Sequence, residues 1–274
     1  MIDVLEEIVG APVVLEELKH KPGRRRTLRA RGSGGSAIVK QYASNRATVV
    51  ARRVAALAAG PPEPVVPAVL HVDPRLHLVV LSDVPGSPLR EALVEGDLAA
   101  CSRVGAMLGA WHAAWDGLAP APLQPHTVIR EVEILRSRAE AASPAVARAV
   151  ADALPNLAQA WTCRTVVHRD LYEEQVLAGE RVGLIDVDEA ALGPPELDVG
   201  NLAAHVELLA RRRRRGLERE LRSVLDGYAE RGPLLDEALL DRCRRLTLLR
   251  LACLNEDAGL AASATAGNVP APVR

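Results

Sequence analysis

The sequence contains no phenylalanine and only three lysines, at positions 19, 21 and 40, in a chain of 274 residues. Arginine supplies almost all of the positive charge, so each lysine is an exception to the composition of the chain. The net charge is −1, and no overall field draws the protein to nucleic acid or to an anionic membrane. We interpret Arg211–Arg215 as a solvated helix end. Arg24–Arg26 has the same interpretation, with phosphate contact as the alternative.

Long apolar runs and metal-binding cysteine patterns are also missing. No stretch approaches about 18 consecutive apolar residues, and the N-terminus lacks the basic start and apolar segment of a signal peptide, so we expect a cytoplasmic protein. The four cysteines are widely separated and show no Cys-x-x-Cys spacing, which favours buried free thiols and argues against zinc. The 49% hydrophobic content is enough for a sizeable core.

Short β-forming stretches and turn residues alternate in the first eighty residues. Pro-Gly, Gly-Ser-Gly-Gly and Asp-Pro sequences mark the turns. A helix capped at Ser44 or Asn45 and extending to Ala58, with apolar residues at helical spacing, interrupts the series. The predicted strands are Val13–Lys19, Arg25–Arg31, Ser36–Tyr42, Ala68–Val72 and Leu76–Leu81.

Helical patterns dominate the remainder of the chain. Asp97 is expected to cap a helix, two helices should fill 127–161, and others should lie near 195–213, 215–231 and 234–260. The predicted fold class is therefore α+β, with two lobes and a hinge at Ser82–Gly86. The lobes comprise residues 1–83 and 84–260, and a tail at 261–274 is predicted to be disordered. A cleft between two lobes is a common ligand site.

Two polar segments follow predicted strands and concentrate the candidate chemistry. Residues 166–177 read Val-Val-His-Arg-Asp-Leu-Tyr-Glu-Glu-Gln-Val-Leu, and residues 183–188 read Gly-Leu-Ile-Asp-Val-Asp. The order His-Arg-Asp, four residues, an amide and then a second aspartate matches the groups that phosphoryl transfer needs. Asp170 would accept the proton of the attacking hydroxyl, and Gln175 and Asp186 would hold Mg²⁺.

Residues 190–202, Ala-Ala-Leu-Gly-Pro-Pro-Glu-Leu-Asp-Val-Gly-Asn-Leu, extend this pattern. Together the segments resemble the aminoglycoside phosphotransferase and choline kinase families, most specifically over 166–202. The resemblance implies a protein-kinase-like fold, ATP or GTP as phosphoryl donor, and Mg²⁺ as cofactor. It also implies a small-molecule hydroxyl acceptor such as an aminoglycoside, amino sugar, sugar or amino alcohol. It does not identify the acceptor, the preferred nucleotide or the oligomeric state, and we expect neither a nucleic-acid nor a membrane partner.

The resemblance further implies individual roles in nucleotide binding. Lys40 looks like the strand lysine that holds the α- and β-phosphates. Ser82 and Val84 look like hinge residues whose backbone would meet the adenine edge, and Gly23 would lie in the turn that covers the phosphates.

Three other residues acquire roles in the same way. Asp188 resembles a second acidic metal ligand, while His168 and Asp198 resemble residues that brace the loop carrying Asp170. We refer to residues 168–175 as the candidate catalytic loop.

The chain departs from the family pattern in three ways. Gln175 stands where relatives often have Asn, and Val187 replaces the Phe of an Asp-Phe-Gly motif. The helix over 45–58 has no Glu to orient Lys40, for which Asp186 is the nearest substitute. These departures keep open an alternative, a nucleotide-binding pseudokinase that acts as a regulatory or interaction module.

Four acidic residues are candidates for binding the acceptor. Glu173 and Glu174 lie in the candidate catalytic loop, and Glu256 and Asp257 follow the last long helical pattern. They would suit a cationic acceptor such as an amino sugar. Glu173 and Glu174 could instead simply face solvent.

Overall fold

The N-terminal lobe is a five-stranded antiparallel sheet with one helix packed on each face. The computed structural model describes residues 1–266 of the chain. The strand order is β1-β2-β3-β5-β4. Its elements are α1 (Ile2–Val9), β1 (Val14–Lys21), β2 (Arg25–Gly32), β3 (Gly35–Tyr42), α2 (Arg46–Ala58), β4 (Val69–Asp73) and β5 (Leu78–Ser82).

The two helices cover the sheet because strand residues point alternately to its two faces. Val39 and Val80 pack with Leu5 of α1 in one cluster. On the other face, Val79 packs with Val54 of α2. The same alternation places Lys40 on the α2 face, next to the second lobe.

The C-terminal lobe is mainly helical, with short strands near the lobe boundary. Val65, which precedes β4, exchanges backbone hydrogen bonds of 2.9 Å with Val182 and Leu184 and so ties the two lobes together. The elements are β6 (Ser87–Pro88), α3 (Leu89–Glu95), α4 (Leu98–Ala114), α5 (Val128–Ala139), α6 (Pro144–Leu157), β7 (Thr165–Val167), β8 (Val176–Ala178), β9 (Gly183–Leu184), β10 (Ala191–Gly193), α7 (Pro195–Arg213), α8 (Glu218–Arg231), α9 (Glu237–Asn255) and α10 (Ala258–Ala266).

Helices α4 and α8 approach each other closely through glycine. A Cβ atom on Gly105 would lie 1.9 Å from the carbonyl oxygen of Val224, and one on Gly227 would lie 2.1 Å from that of Ser102. Only glycine permits this backbone separation. As predicted, Asp97 caps α4, its side chain accepting a hydrogen bond of 2.9 Å from the Ala100 N–H.

The structure confirms the predicted α+β, two-lobed fold class, with corrections at both ends. Helix α1 was not predicted. The disorder predicted from Ala261 is wrong for 261–266, which belong to α10 and bury Ala261 and Ala264; residues 267–274 lie outside the described residues. The helix expected over 234–260 ends at Asn255, because Glu256 adopts a left-handed conformation with φ of 52°. Within residues 1–266, no helix is long and apolar enough to cross a membrane.

Candidate active site

The candidate catalytic loop connects β7 to β8, and His168 fixes its start. The His168 ring is fully buried, and its Nε2 lies 2.8 Å from the carbonyl oxygen of Ile185. The backbone N–H of Asp170 donates to Nδ1 at 3.3 Å. Because a carbonyl only accepts and an N–H only donates, this pair of contacts selects the tautomer protonated at Nε2. His168 therefore joins the loop to the segment that carries Asp186.

Asp198, in the first turn of α7, binds the backbone of the same loop. Its Oδ2 accepts the backbone N–H of His168 and its Oδ1 accepts that of Arg169, both at 2.7 Å. Nε2 of His112 lies 3.2 Å from Oδ2. The carboxylate is fully buried, so these contacts replace the water it would otherwise bind. Arg169 has φ of 72°, an unfavourable conformation for a residue with a side chain, and this support holds it in place.

A second support comes from Asn201, to which no sequence pattern assigned a role. Its Nδ2 donates to the carbonyl oxygen of Leu171 at 2.7 Å. Its Oδ1 accepts from Thr247 at 3.0 Å and from the guanidinium of Arg250. Arg250 also lies 3.4 Å from Glu131. The loop is thus anchored to α5, α7 and α9 through one buried polar network.

Asp170, unlike His168 and Asp198, is exposed to solvent. Its side chain is open to solvent, whereas Asp198 has no exposed surface. Burial lowers the pKa of Arg138 and of His205, and the charge of Asp170 partly opposes this effect on both groups. A rigid loop therefore presents a carboxylate that a solvent-borne hydroxyl can reach.

Lys40 on β3 contacts two acidic residues from the segment after β9. Its Nζ lies 2.7 Å from Oδ1 of Asp186 and 2.6 Å from Oδ1 of Asp188. The Tyr42 hydroxyl donates to Oδ2 of Asp188 at 2.7 Å. Two carboxylates therefore contact the lysine, which has no glutamate on α2 to pair with. Asp186 has φ of 58°, a second strained residue at the site.

Arg25 on β2 completes this cluster. Its guanidinium binds Asp186 through two parallel hydrogen bonds of 2.8 and 2.9 Å, and it contacts Asp188 at 2.5 Å. Burial alone would raise the pKa of Asp186, but the charges of Lys40 and Arg25 outweigh it and hold that pKa well below its usual range. The sequence signalled Arg25 only as part of the Arg24–Arg26 run.

Gln175 adds an amide to the two carboxylates. Its side chain is buried, and its Nε2 lies 3.4 Å from Oδ2 of Asp186. Half a turn of the amide would present Oε1 instead. Within residues 1–266, no group of three or more His, Cys, Asp or Glu side chains could hold a metal. Two carboxylates and one amide fit Mg²⁺, which usually takes one or two carboxylates and completes its shell with water and phosphate oxygens.

The predicted hinge residues lie at the end of β5 and just after it, and the predicted turn residue lies between β1 and β2. Ser82 ends β5, and both its N–H and its Oγ bond to Ala68, at 2.9 and 2.8 Å. Val84 is buried against Gly183 of β9. Gly23 has φ of 66° at the tip of the β1–β2 turn, and its surroundings are open. The nucleotide-binding roles of Ser82, Val84 and Gly23 stay predictions.

The four candidate acceptor residues divide into two groups. Glu174 pairs with Arg90 at 2.7 Å, and Glu173 is buried within the candidate catalytic loop. Glu256 accepts the Ser143 N–H at 2.8 Å, and Asp257 caps α10. The second pair therefore stabilises helix ends, while the first pair lies in the same loop as Asp170.

Glu173 faces His205 of α7. Its Oε2 lies 3.9 Å from Nδ1 of His205 and has no hydrogen-bond partner within residues 1–266. The Tyr172 ring stacks on His205 with ring centres 4.8 Å apart. Burial raises the pKa of Glu173 to about 7 and lowers that of His205 to about 4. The pair therefore carries little charge near pH 6.

Comparison with known proteins identifies the family. The model of the phosphotransferase enzyme family, APH, matches residues 22–235. The chain belongs to this family. It is a small-molecule kinase that transfers a phosphoryl group to a hydroxyl. No curated protein sequence matches it significantly. The alternative of a pseudokinase is not supported.

Solved structures with the same protein-kinase-like fold span nearly the whole chain. A fructosamine-3-kinase candidate from Thermobifida fusca is 21% identical, with 97% of this chain and 99% of that chain covered and a TM-score of 0.61. A choline/ethanolamine kinase family protein from Mesorhizobium loti is 19% identical, with 95% and 90% covered and a TM-score of 0.64. A thermostable mutant of an aminoglycoside phosphotransferase is 19% identical, with 98% and 100% covered and a TM-score of 0.64.

Proposed function

We propose that this phosphotransferase moves the γ-phosphoryl group of ATP or GTP onto a hydroxyl of a small cationic molecule, with Mg²⁺ as cofactor and Asp170 as the base. One observation carries the proposal. Lys40, Asp186, Asp188 and Gln175 converge in the cleft, and His168 ties their segment directly to the loop of Asp170.

Asp170 would orient the acceptor hydroxyl and take its proton. Its exposure lets an acceptor approach, and the bonds from Asp198 and His168 to the loop backbone fix its position. In phosphoryl transfer the protein contributes mainly positioning and electrostatic stabilisation, so a rigid carboxylate suits the task.

The donor nucleotide would lie between the lobes. Lys40 would donate from Nζ to the α- and β-phosphates, the backbone of Ser82 and Val84 would meet the base, and the turn at Gly23 would cover the phosphates. Gln175, Asp186 and Asp188 would hold Mg²⁺, which supplies charge neutralisation on the phosphate oxygens when bound.

A cationic acceptor is supported by Glu173, which lies in the same loop as Asp170. Its buried Oε2 has no hydrogen-bond partner within residues 1–266, and an ammonium group bound there would favour the ionised carboxylate that burial disfavours. Glu174 already pairs with Arg90. Among proteins of similar structure, an aminoglycoside phosphotransferase variant was solved with ADP and hygromycin B. An amicoumacin kinase was solved with AMP-PNP and Ca²⁺. We therefore place amino sugars and amino alcohols first among the acceptors to test.

The test is a coupled assay of ADP or GDP release across a panel of amino sugars, aminoglycosides, sugars and amino alcohols with Mg²⁺ present. For the best acceptor, Asp170→Asn should lower kcat by about 10²–10⁴-fold, the usual contribution of a positioned base. Asp152→Asn, on the exposed face of α6, is the matched control and should keep full activity. Unchanged turnover in Asp170→Asn would refute the role of this residue.

A further inference from the structure

Arg25 occupies the two carboxylates that would bind the metal. Its NH1 contacts both Asp186 and Asp188, and its NH2 makes the second bond to Asp186. We infer that Arg25 is the second cation of the phosphate site: it holds both carboxylates in the free enzyme and transfers to phosphate oxygens when metal and nucleotide bind. The inference rests on the proposed function.

The first argument is that every oxygen of the two carboxylates already has a donor. Lys40 contacts Oδ1 of both aspartates. Arg25 contacts both oxygens of Asp186 and Oδ2 of Asp188, which also accepts the Tyr42 hydroxyl. Every carboxylate oxygen of the pair therefore has a donor. A metal ion that takes oxygens from both carboxylates would therefore compete with these donors, and above all with Arg25, which contacts both aspartates through NH1.

The second argument is charge balance. The two aspartates carry −2, and Arg25 with Lys40 carries +2, so the cluster is neutral as it stands. A divalent ion added to this cluster would leave it with an excess of +2 in a partly buried cleft, which is strongly unfavourable. The negative charge of the phosphates would offset this excess, and Arg25, released from the carboxylates, would bind phosphate oxygens. Metal and nucleotide binding should therefore be linked.

The third argument concerns which cation moves. Lys40 is in β3, a central strand, and is almost fully buried, whereas Arg25 begins β2 next to the open turn at Gly23. The side chain of Arg25 retains 14% exposure against 6% for Lys40. The guanidinium also matches phosphate geometry, since its planar donors can bind two oxygens at once.

The test measures metal affinity directly, without turnover. MnCl₂ alone is titrated into wild type, Arg25→Gln and Arg26→Gln, and free Mn²⁺ is followed by electron paramagnetic resonance. Arg26 pairs with Glu17 on the exposed side of the hairpin. Arg26→Gln therefore makes the same change of charge as Arg25→Gln at the neighbouring position. Arg25→Gln should bind Mn²⁺ about tenfold tighter than wild type, because a buried competing charge is removed, while Arg26→Gln should match wild type.

Nucleotide binding should change in the opposite direction. By calorimetry with excess Mg²⁺, Arg25→Gln should bind AMP-PNP about tenfold more weakly than wild type and Arg26→Gln. Arg25→Lys, which keeps the charge but not the paired donors, should stay within a few-fold of wild type in the Mn²⁺ titration. Arg25→Ala is a second neutral variant, with the same two expected changes, if the glutamine protein unfolds.

Two results would overturn the inference. Equal Mn²⁺ affinity in wild type, Arg25→Gln and Arg26→Gln would show that Arg25 does not compete with metal. Equal AMP-PNP affinity in the three proteins would show that Arg25 does not reach phosphate. If wild type binds no nucleotide at all, that result would contradict the proposed function, and with it the movement of Arg25 to phosphate. Failure of the proposed function is therefore distinguishable from failure of the inference about Arg25 alone.

Discussion

Asp198 accepts the backbone N–H of His168 at 2.7 Å, across 30 residues of sequence. The same carboxylate accepts the next N–H, that of Arg169, through its other oxygen. Two charge-assisted hydrogen bonds from one buried carboxylate determine the path of the chain immediately before Asp170. The position of the proposed base therefore depends on a residue that need not touch substrate.

Asp198→Asn tests this dependence. An amide keeps one oxygen and turns an NH₂ group toward a backbone N–H, so one donor is left unpaired. We expect a loss of about 2–3 kcal/mol in the free energy of unfolding and a lower kcat with little change in acceptor KM. Urea unfolding and steady-state assays measure both quantities.

The control for this change is Asp226→Asn, on the exposed face of α8. It should shift the free energy of unfolding by no more than about 0.5 kcal/mol, as surface substitutions usually do. Equal stability in Asp198→Asn and wild type would mean that the loop holds its conformation without the carboxylate.

Asn201→Ala tests the second support of the loop. The substitution frees the carbonyl oxygen of Leu171 and removes the acceptor for Thr247 and Arg250. Each buried group left unpaired costs roughly 1–3 kcal/mol. We expect unfolding at lower urea and faster hydrogen exchange in 168–172, measured by mass spectrometry. Unchanged hydrogen exchange across these residues would show that Asn201 does not make the loop rigid.

The sequence predicted those parts of the site that depend on local spacing. His168, Asp170 and Gln175 lie in the loop between β7 and β8, and Asp186 follows β9, which pairs with β8, so their order along the chain already implies their proximity. Lys40 stood out because the chain otherwise uses arginine. The structure accordingly brings Lys40 to Asp186 and Asp188, although the roles of these residues in catalysis stay predictions.

The remaining contacts depend on tertiary packing and gave no local signal. Arg25 is one of 31 arginines, and only the fold of β2 over the segment after β9 distinguishes it from Arg24 and Arg26. Arg250 reaches Asn201 across 49 residues of sequence. Helix α1 is short, and Leu5 is buried by the sheet that the helix covers. The sequence of residues 2–9 alone therefore does not reveal the helix.

Gly105→Ala tests the close packing of α4 on α8. The added methyl would meet the carbonyl oxygen of Val224 at 1.9 Å, far inside van der Waals contact, so the helices must separate. Overpacking of this kind costs about 1–3 kcal/mol and outweighs the better helix propensity of alanine. Thermal unfolding should show a lower Tm.

Gly109→Ala, one turn further along α4, should also destabilise the protein, because its methyl would lie 2.6 Å from the carbonyl oxygen of Tyr228. Ala113→Ser, on the exposed side of α4, serves as the control. A higher Tm for Gly105→Ala would contradict the backbone separation of α4 and α8.

The last prediction concerns the pH dependence of stability at Glu173. Burial raises the pKa of this carboxyl from a model-peptide value of 4.5 to about 7. Between these pH values the folded state binds more protons than the unfolded state, so stability is lost as pH rises through the interval. Burial lowers the pKa of His205 from 6.5 to about 4, which gives the opposite slope over nearly the same range.

Glu173→Gln removes the first contribution and keeps the second. The variant should therefore match wild type near pH 4.5 and exceed it by about 2 kcal/mol above pH 7, since one pKa unit corresponds to about 1.4 kcal/mol and partial hydration reduces the full value. Urea unfolding at several pH values measures the difference. Glu174→Gln, at the more exposed carboxylate paired with Arg90, should show no such rise. A difference that is constant with pH would mean that folding does not shift the pKa of Glu173, so that water or a cation satisfies its charge in the folded protein.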